Sequence, residues 1–137
     1  MAECSIGDAP RLGGRFVALG ALVMALAVIF SAAGDHLVAS RVSAEDLHIY
    51  DIANRFQIYH GLGLLFIGVL IRQYGKRRLL YAAGGLMTLG TLLFCGGLYL
   101  LTLTGDVSWA FFAPVGGITL VLSWLSLALS MWRASAT

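Results

Sequence analysis

Hydrophobic residues run in four long stretches along this chain, at residues 16–34, 44–72, 79–104 and 109–132, with polar breaks between them. A helix of about 18–20 apolar residues matches a hydrocarbon core of about 30 Å. The pattern predicts an all-α fold, an antiparallel four-helix transmembrane bundle over residues 16–132, preceded by a mobile tail at residues 1–15. The second stretch differs from the others. Its first half, Asp51-Ile52-Ala53-Asn54-Arg55-Phe56-Gln57-Ile58-Tyr59-His60, is polar, ionisable and aromatic, and no Pro or Gly between Leu47 and His60 ends a helix there. A helix over residues 44–72 would be about 43 Å long, which exceeds the hydrocarbon core, so its polar head protrudes, tilts or lies against other protein.

Local signals bound these helices. Ser43 reads as an N-cap, with Glu45 and Asp46 in the first turn behind it. Residues 35–42 read as a loop, residues 73–78 as a tight basic turn, and residues 105–108 as a short turn with Ser108 as a candidate N-cap. Pro114 falls near the start of the fourth helix, where a missing N–H costs least. Trp109 and Trp132 sit at its two ends, as interfacial anchors do. The first stretch also has the parts of a signal peptide: Arg11 and Arg15, an apolar run, then Ser31-Ala32-Ala33. A packing pattern shared with the other three helices favours a retained span.

That pattern is a step of seven between small residues. The first helix has Gly13, Gly20, Ala27 and Gly34; the second has Asn54, Gly61, Gly68 and Gly75. The third has Ala83, Gly90, Gly97 and Thr104; the fourth has Gly116, Ser123 and Ser130. A seven-residue step keeps one stripe facing a partner helix. Small side chains there let backbones approach, which holds helices together in lipid. Gly20, Ala27, Gly34, Gly61, Gly68, Gly90, Gly97, Gly116 and Ser123 are the expected helix-packing positions.

Charge adds an orientation. Four spans put both termini and the 73–78 turn on one side, with Arg11, Arg15, Arg72, Lys76, Arg77, Arg78 and Arg133. The other side holds Arg41 and Arg55 among Asp35, Glu45, Asp46, Asp51 and Asp106. The positive-inside rule then makes both termini cytoplasmic.

Composition narrows the chemistry. With 12 % charged residues in 137 and a mean hydropathy of +0.86, the chain suits a lipid bilayer. No basic patch interleaved with aromatics points to nucleic acid. Cys4 and Cys95 lie far apart, which argues against a disulfide. His48 and His60 are about 18 Å apart along one helix and cannot share a metal, so neither metal nor cofactor is expected. No nucleophile–base pair, phosphate loop or carboxylate dyad marks an enzyme. What remains is an intramembrane polar cluster: Asp35, His36, Asp51, Asn54, Arg55, Gln57 and His60. Ionisable residues at such depth are functional candidates, and they turn to protein rather than lipid. Arg55 is expected to pair with Asp35 or Asp51. His60 is expected to bond across to another helix, at Thr102, Thr104 or a backbone carbonyl.

Four blocks of sequence carry a resemblance. They are Gly34-Asp35-His36-Leu37, Phe56-Gln57-Ile58-Tyr59-His60-Gly61-Leu62, the run from Leu93-Phe94-Cys95-Gly96-Gly97 through Leu98-Tyr99-Leu100-Leu101-Thr102-Leu103-Thr104-Gly105, and Pro114-Val115-Gly116-Gly117. Together they resemble the YgdD-like family of small four-span proteins of bacterial inner membranes. The chain departs from it at Asp35, usually a small apolar residue, at Phe56, usually Tyr, and at Cys95, usually Ser. The resemblance implies the fold and an inner-membrane location and supplies no mechanism, because the family's function is unknown. Three functions of different classes then remain, a membrane enzyme or electron carrier among them, and two are favoured. The first is a structural or accessory subunit that binds lipid or a partner membrane complex, or its own copies. The alternative is an oligomeric small-solute or proton conduit through the polar residues of the second helix.

Overall fold

Four helices run antiparallel in the computed structural model, which describes residues 8–75 and 77–135. They are α1 (Asp8–Ala33), α2 (Ala44–Tyr74), α3 (Arg78–Thr104) and α4 (Phe112–Ser135). Cys4 and the first part of the expected mobile tail lie outside the described residues. The rest of that segment is helical, because α1 begins at Asp8 and not at residue 16. Its inner end has α2 to lie on: a Cβ added at Gly13 would sit 2.7 Å from the Gly68 carbonyl oxygen.

The outer end of α1 also differs from expectation. Instead of a loop from residue 35, the chain winds on as a π turn, Gly34–Val38, which buries Val38 beside Tyr50. A π turn widens the helix by one residue per turn, and here it brings Val38 inward. α2 starts where its capping residues indicate. Ser43 Oγ accepts from the Asp46 N–H at 3.1 Å and donates to Asp46 Oδ2 at 2.7 Å. Gly75 (φ 72°) and Gly105 (φ 69°) end α2 and α3 in the left-handed half of backbone space, which only glycine enters at little cost. Ser108 is not the cap of the fourth helix. Asp106 accepts from the Ser108 N–H at 2.9 Å and opens a 3-10 turn, Val107–Phe111, so that α4 begins at Phe112. That N–H holds the Asp106 carboxyl below the usual carboxylate range.

Helices pack on their chain neighbours. Between α1 and α2 each step of seven forward meets a step of seven back: Gly13 lies on Gly68, Gly20 on Gly61 and Ala27 on Asn54. Between α3 and α4, Gly90 lies on Leu120, Gly97 on Phe112 and Gly116 on Phe94, while Ser123 Oγ donates to the Ala83 carbonyl at 2.7 Å. Thr104 is exposed and Gly75 sits in a turn, so those two positions of the series take no part. Two apolar clusters fill the interior. The inner one centres on Leu64, Ile67, Ile71, Leu80 and Met87; the outer one on Val38, Tyr50, Ala53, Cys95 and Tyr99; Phe56 and Phe94 join them.

Among the described residues, three helical segments are long and apolar enough to cross a membrane: Pro10–Val38, Arg78–Thr104 and Val107–Ser135. α2 falls short of that apolarity. It is the helix that protein covers, and its buried residues include Asn54, Gln57 and His60. It matches α1 from Gly13 at one end to Gly34, which packs on Tyr50, at the other, so it crosses with its neighbours.

The glycine contacts differ in what an added side chain would strike. At Gly68 a Cβ meets backbone, 2.7 Å from Gly13 O and Val17 N, whereas at Gly85 it meets nothing within 4 Å. Gly68→Ala should therefore destabilise the protein by about 1–3 kcal/mol. Gly85→Ala should be neutral or gain up to about 1 kcal/mol through helix propensity. Denaturation of the two variants in the same micelles checks the contrast.

Candidate functional site: a buried polar node beside an apolar crevice

The outer half of α2 turns three polar side chains onto α1. Tyr50 Oη donates to the Phe30 carbonyl at 2.8 Å, Asn54 Nδ2 to the Ala27 carbonyl at 2.8 Å, and Gln57 Nε2 to the Val23 carbonyl at 3.0 Å. Residues 50, 54 and 57 share one helical face, as do 23, 27 and 30, so antiparallel helices bring them into register. From α3, Tyr99 Oη donates to Gln57 Oε1 at 2.8 Å and accepts from Asn54 Nδ2 at 3.3 Å. Asn54, Gln57 and Tyr99 are all less than a tenth exposed. The rings of Phe30 and Tyr50 meet the Tyr99 ring edge-on, with centroids 5.0 and 4.8 Å away. Three helices are thereby tied at one node.

Of the seven residues expected in an intramembrane cluster, Asn54, Gln57 and His60 are buried, while Asp35, His36, Asp51 and Arg55 are exposed. His60 leaves the node. Its ring lies toward α4, 6.1 Å from the Trp124 ring and 5.7 Å from Phe56. Nδ1 meets the Phe56 carbonyl of its own helix at 2.6 Å rather than an atom of another helix. A carbonyl only accepts, so Nδ1 is the donor in this contact. The expected partners are engaged elsewhere: Thr102 Oγ1 donates to the Asp46 carbonyl and Thr104 Oγ1 to Leu100. The expected ion pair of Arg55 also needs correction. Among the described residues Arg55 makes no ion pair with Asp35 or Asp51, and all three are exposed. Arg55 instead lines an open vestibule of about 420 Å³ with Ser31, His48, Asp51 and Asn54. Its long stem lets the guanidinium reach the interface, which relieves the need for a buried counter-charge.

Beside the node a crevice of about 200 Å³ opens between α1 and α3. Leu19, Val23, Leu26 and Phe30 form one wall; Thr88, Thr91, Leu92, Cys95, Gly96 and Tyr99 form the other; Gln57 and Leu64 lie at its floor. The threonine hydroxyls donate to the carbonyls four residues back, Gly84 and Met87, so the walls present apolar atoms. The helices touch at both ends of the gap, where Phe16 packs over Gly84 and Phe30 against Tyr99. Tyr99 was absent from the residues singled out by sequence. Its signal is weak: it is one aromatic among several until α3 is docked on α2. Among the described residues, no group of three or more His, Cys, Asp or Glu side chains comes together to hold a metal.

Tyr99→Phe keeps the ring contacts and removes the hydroxyl from the node. The variant should unfold more easily by about 0.6 kcal/mol, the average for interhelical hydrogen bonds in bilayers, and by no more than about 1.7 kcal/mol, the largest seen. In a double-mutant cycle with Gln57→Met the losses should be non-additive. Equilibrium unfolding in mixed micelles reads both.

Comparisons with known proteins place the chain beside small membrane proteins of unknown function. The family described as "Protein of unknown function (DUF423)" matches residues 30–117. The UPF0382 membrane protein SSP2132 of Staphylococcus saprophyticus is 34% identical over 118 residues, covering 86% of this chain and 97% of that protein. UPF0382 membrane protein YwdK of Bacillus subtilis is 30% identical over 115 residues, covering 84% and 94%. No solved structure gives a significant match. With a family match over residues 30–117 and alignments that cover nearly the whole of these relatives at 30% identity or more, the chain belongs to the UPF0382/DUF423 family of small membrane proteins.

Proposed function

We propose that this protein is an accessory protein of the bacterial inner membrane that holds one apolar chain, a lipid acyl or isoprenoid tail, in the crevice between α1 and α3. The observation that carries the reading is the crevice itself: an apolar slot of about 200 Å³, open on one side and floored by Gln57 and Leu64. Exposed Leu22, Leu26 and Leu92 on α1 and α3 give a tail an apolar approach. The hydrogen-bonded node behind it fixes the spacing of the walls, so the slot is preorganised and needs no closure to bind. Within the family we place the chain with the YgdD-like members, on the blocks at residues 56–62 and 98–105. The conduit reading has less support, because the amides of Asn54 and Gln57 are already bonded to protein.

We orient the chain with both termini in the cytoplasm, on the strength of the basic residues at that end. A reporter fused after Thr137 and one inserted between Gly75 and Lys76 should both read cytoplasmic. A periplasmic signal from either reverses the orientation.

The crevice is tested by filling it. A Cβ at Gly96 meets nothing within 4 Å, and Gly96 lines the slot. Gly96→Phe should therefore fold and melt like the parent protein. A diazirine-bearing fatty acid or polyprenol, activated in membranes, should label α1 and α3 of the parent at the crevice walls and lose that labelling in Gly96→Phe. Equal labelling of both would show that the tails contact the surface without entering the slot.

A further inference from the structure

At the opposite end of the molecule from the polar vestibule, the start of α3 and the end of α4 enclose a recess of about 210 Å³ lined by Arg77, Arg78, Leu79, Ser130 and Arg133. Three guanidinium groups border it, and neither the α2–α3 turn nor the last turns of α4 carries an Asp or Glu to balance them. Arg77 is seated by its own neighbour, with its guanidinium 5.9 Å from the centroid of the Tyr74 ring. Arg77 gives α3 no side-chain cap, and its carbonyl accepts from the Leu80 N–H at 2.9 Å, so the uncapped N–H groups at the start of this 27-residue helix are those of Arg78 and Leu79. The positive end of a helix and a set of arginine forks favour the same ligand, an oxyanion with several acceptor oxygens.

The second observation is independent of charge. Ser130 is 2% exposed, lines this recess, and among the described residues its hydroxyl has no hydrogen-bond partner. Other hydroxyls on these two helices behave differently. Thr88, Thr91, Thr104, Thr119 and Ser126 each donate to the carbonyl four residues back. Ser130 does not, although the same geometry is open to it on a regular helix. A buried hydroxyl without a partner calls for an explanation, and an acceptor in the recess supplies one.

We propose that this recess is a phosphate site, in which Arg77, Arg78 and Arg133 neutralise a phosphate group and the Ser130 hydroxyl donates to one of its oxygens. A basic pocket between helices at the membrane surface is suited to the phosphate of an anionic lipid headgroup, and free phosphate carries the same chemistry. This site is separate from the crevice, and it stands whether or not the crevice binds a tail.

The full chain in nanodiscs tests the proposal. Discs of phosphatidylcholine alone are compared with discs containing phosphatidic acid, by thermal unfolding and by native mass spectrometry of the released protein. Phosphatidic acid should raise the melting temperature and leave a retained lipid. Ser130→Ala and Arg77→Gln should each cut that shift and the retention several-fold. Ser130→Ala should melt like the parent in phosphatidylcholine, whose phosphate is a diester tethered to choline and carries no net headgroup charge. Arg15→Gln, an exposed charge of α1 outside the recess, should keep the full shift, and so should Gly96→Phe. Inorganic phosphate added to phosphatidylcholine discs separates the sources: a shift there makes the free anion a ligand, and a shift with phosphatidic acid alone assigns the headgroup. No shift from either probe overturns the proposal. So does an undiminished shift in both Ser130→Ala and Arg77→Gln, or an equal loss in Arg15→Gln, which would point to diffuse surface charge.

Discussion

Polar side chains on a helix surrounded by lipid and apolar protein must find partners there, because no water is at hand to satisfy them. In this protein that demand sets how close α1 and α2 stand. Asn54 and Gln57 reach main-chain carbonyls of α1, at Ala27 and Val23. A mid-helix carbonyl is within reach of an amide only where nothing bulky stands between the two backbones. Gly13, Gly20, Gly61 and Gly68 provide that condition over the inner part of the same seam, where any Cβ would meet backbone or side chain at about 3 Å or less. The glycine stripe and the amide bonds are therefore one device. Enlarging a glycine would spread the helices and break hydrogen bonds that lie a turn or more away.

This explains which parts of the structure were legible in the sequence. The seven-step series was readable because a stripe of small residues has one main use in a membrane, and Asn54 fell into register with it. Helix ends with a chemical marker, such as Ser43 or the glycines at 75 and 105, were readable too. The start of α1 was not, because Gly13 and Gly14 resemble breakers until α2 is known to cover one of them. The π turn at residues 34–38 carries no local signal, since burial of Val38 holds it. Arg55 was misjudged for a physical reason. Its position along α2 places only the Cα, while the charge sits at the end of a flexible stem. His60 lies inside, yet its partner on its own helix follows from a side-chain rotation that spacing does not determine. Tyr99 needed two docked helices before its hydroxyl had a meaning.

The crevice follows from the same packing. α2 lies between α1 and α3, so those two approach each other only through long side chains. Phe16 over Gly84 and Phe30 against Tyr99 act as props at the two ends. Between the props α3 presents Thr91, Cys95 and Gly96, which are too small to fill the space opposite Val23 and Leu26.

The arrangement of polar groups along the bundle also discriminates between holding a ligand and passing one. From the vestibule at Asp51 and Arg55, polar atoms continue inward through Asn54 to Gln57 and Tyr99. There the hydrogen-bonded series stops: His60, buried further along α2, turns toward α4 and meets the Phe56 carbonyl of its own helix. The next layers are Leu64, Ile67, Ile71, Leu80 and Met87, all 0% exposed and packed as one cluster. Beyond them lie the arginines of the basic end. A solute or proton passing along the bundle interior would have to part that cluster and break the amide bonds that hold α1 to α2, which are the bonds the close seam depends on. A binding role asks for neither: the slot is open to lipid, the node is already bonded, and the basic recess is open to its own surface. The energetics of the core thus favour a protein whose interior is a scaffold and whose ligands sit on its sides and ends.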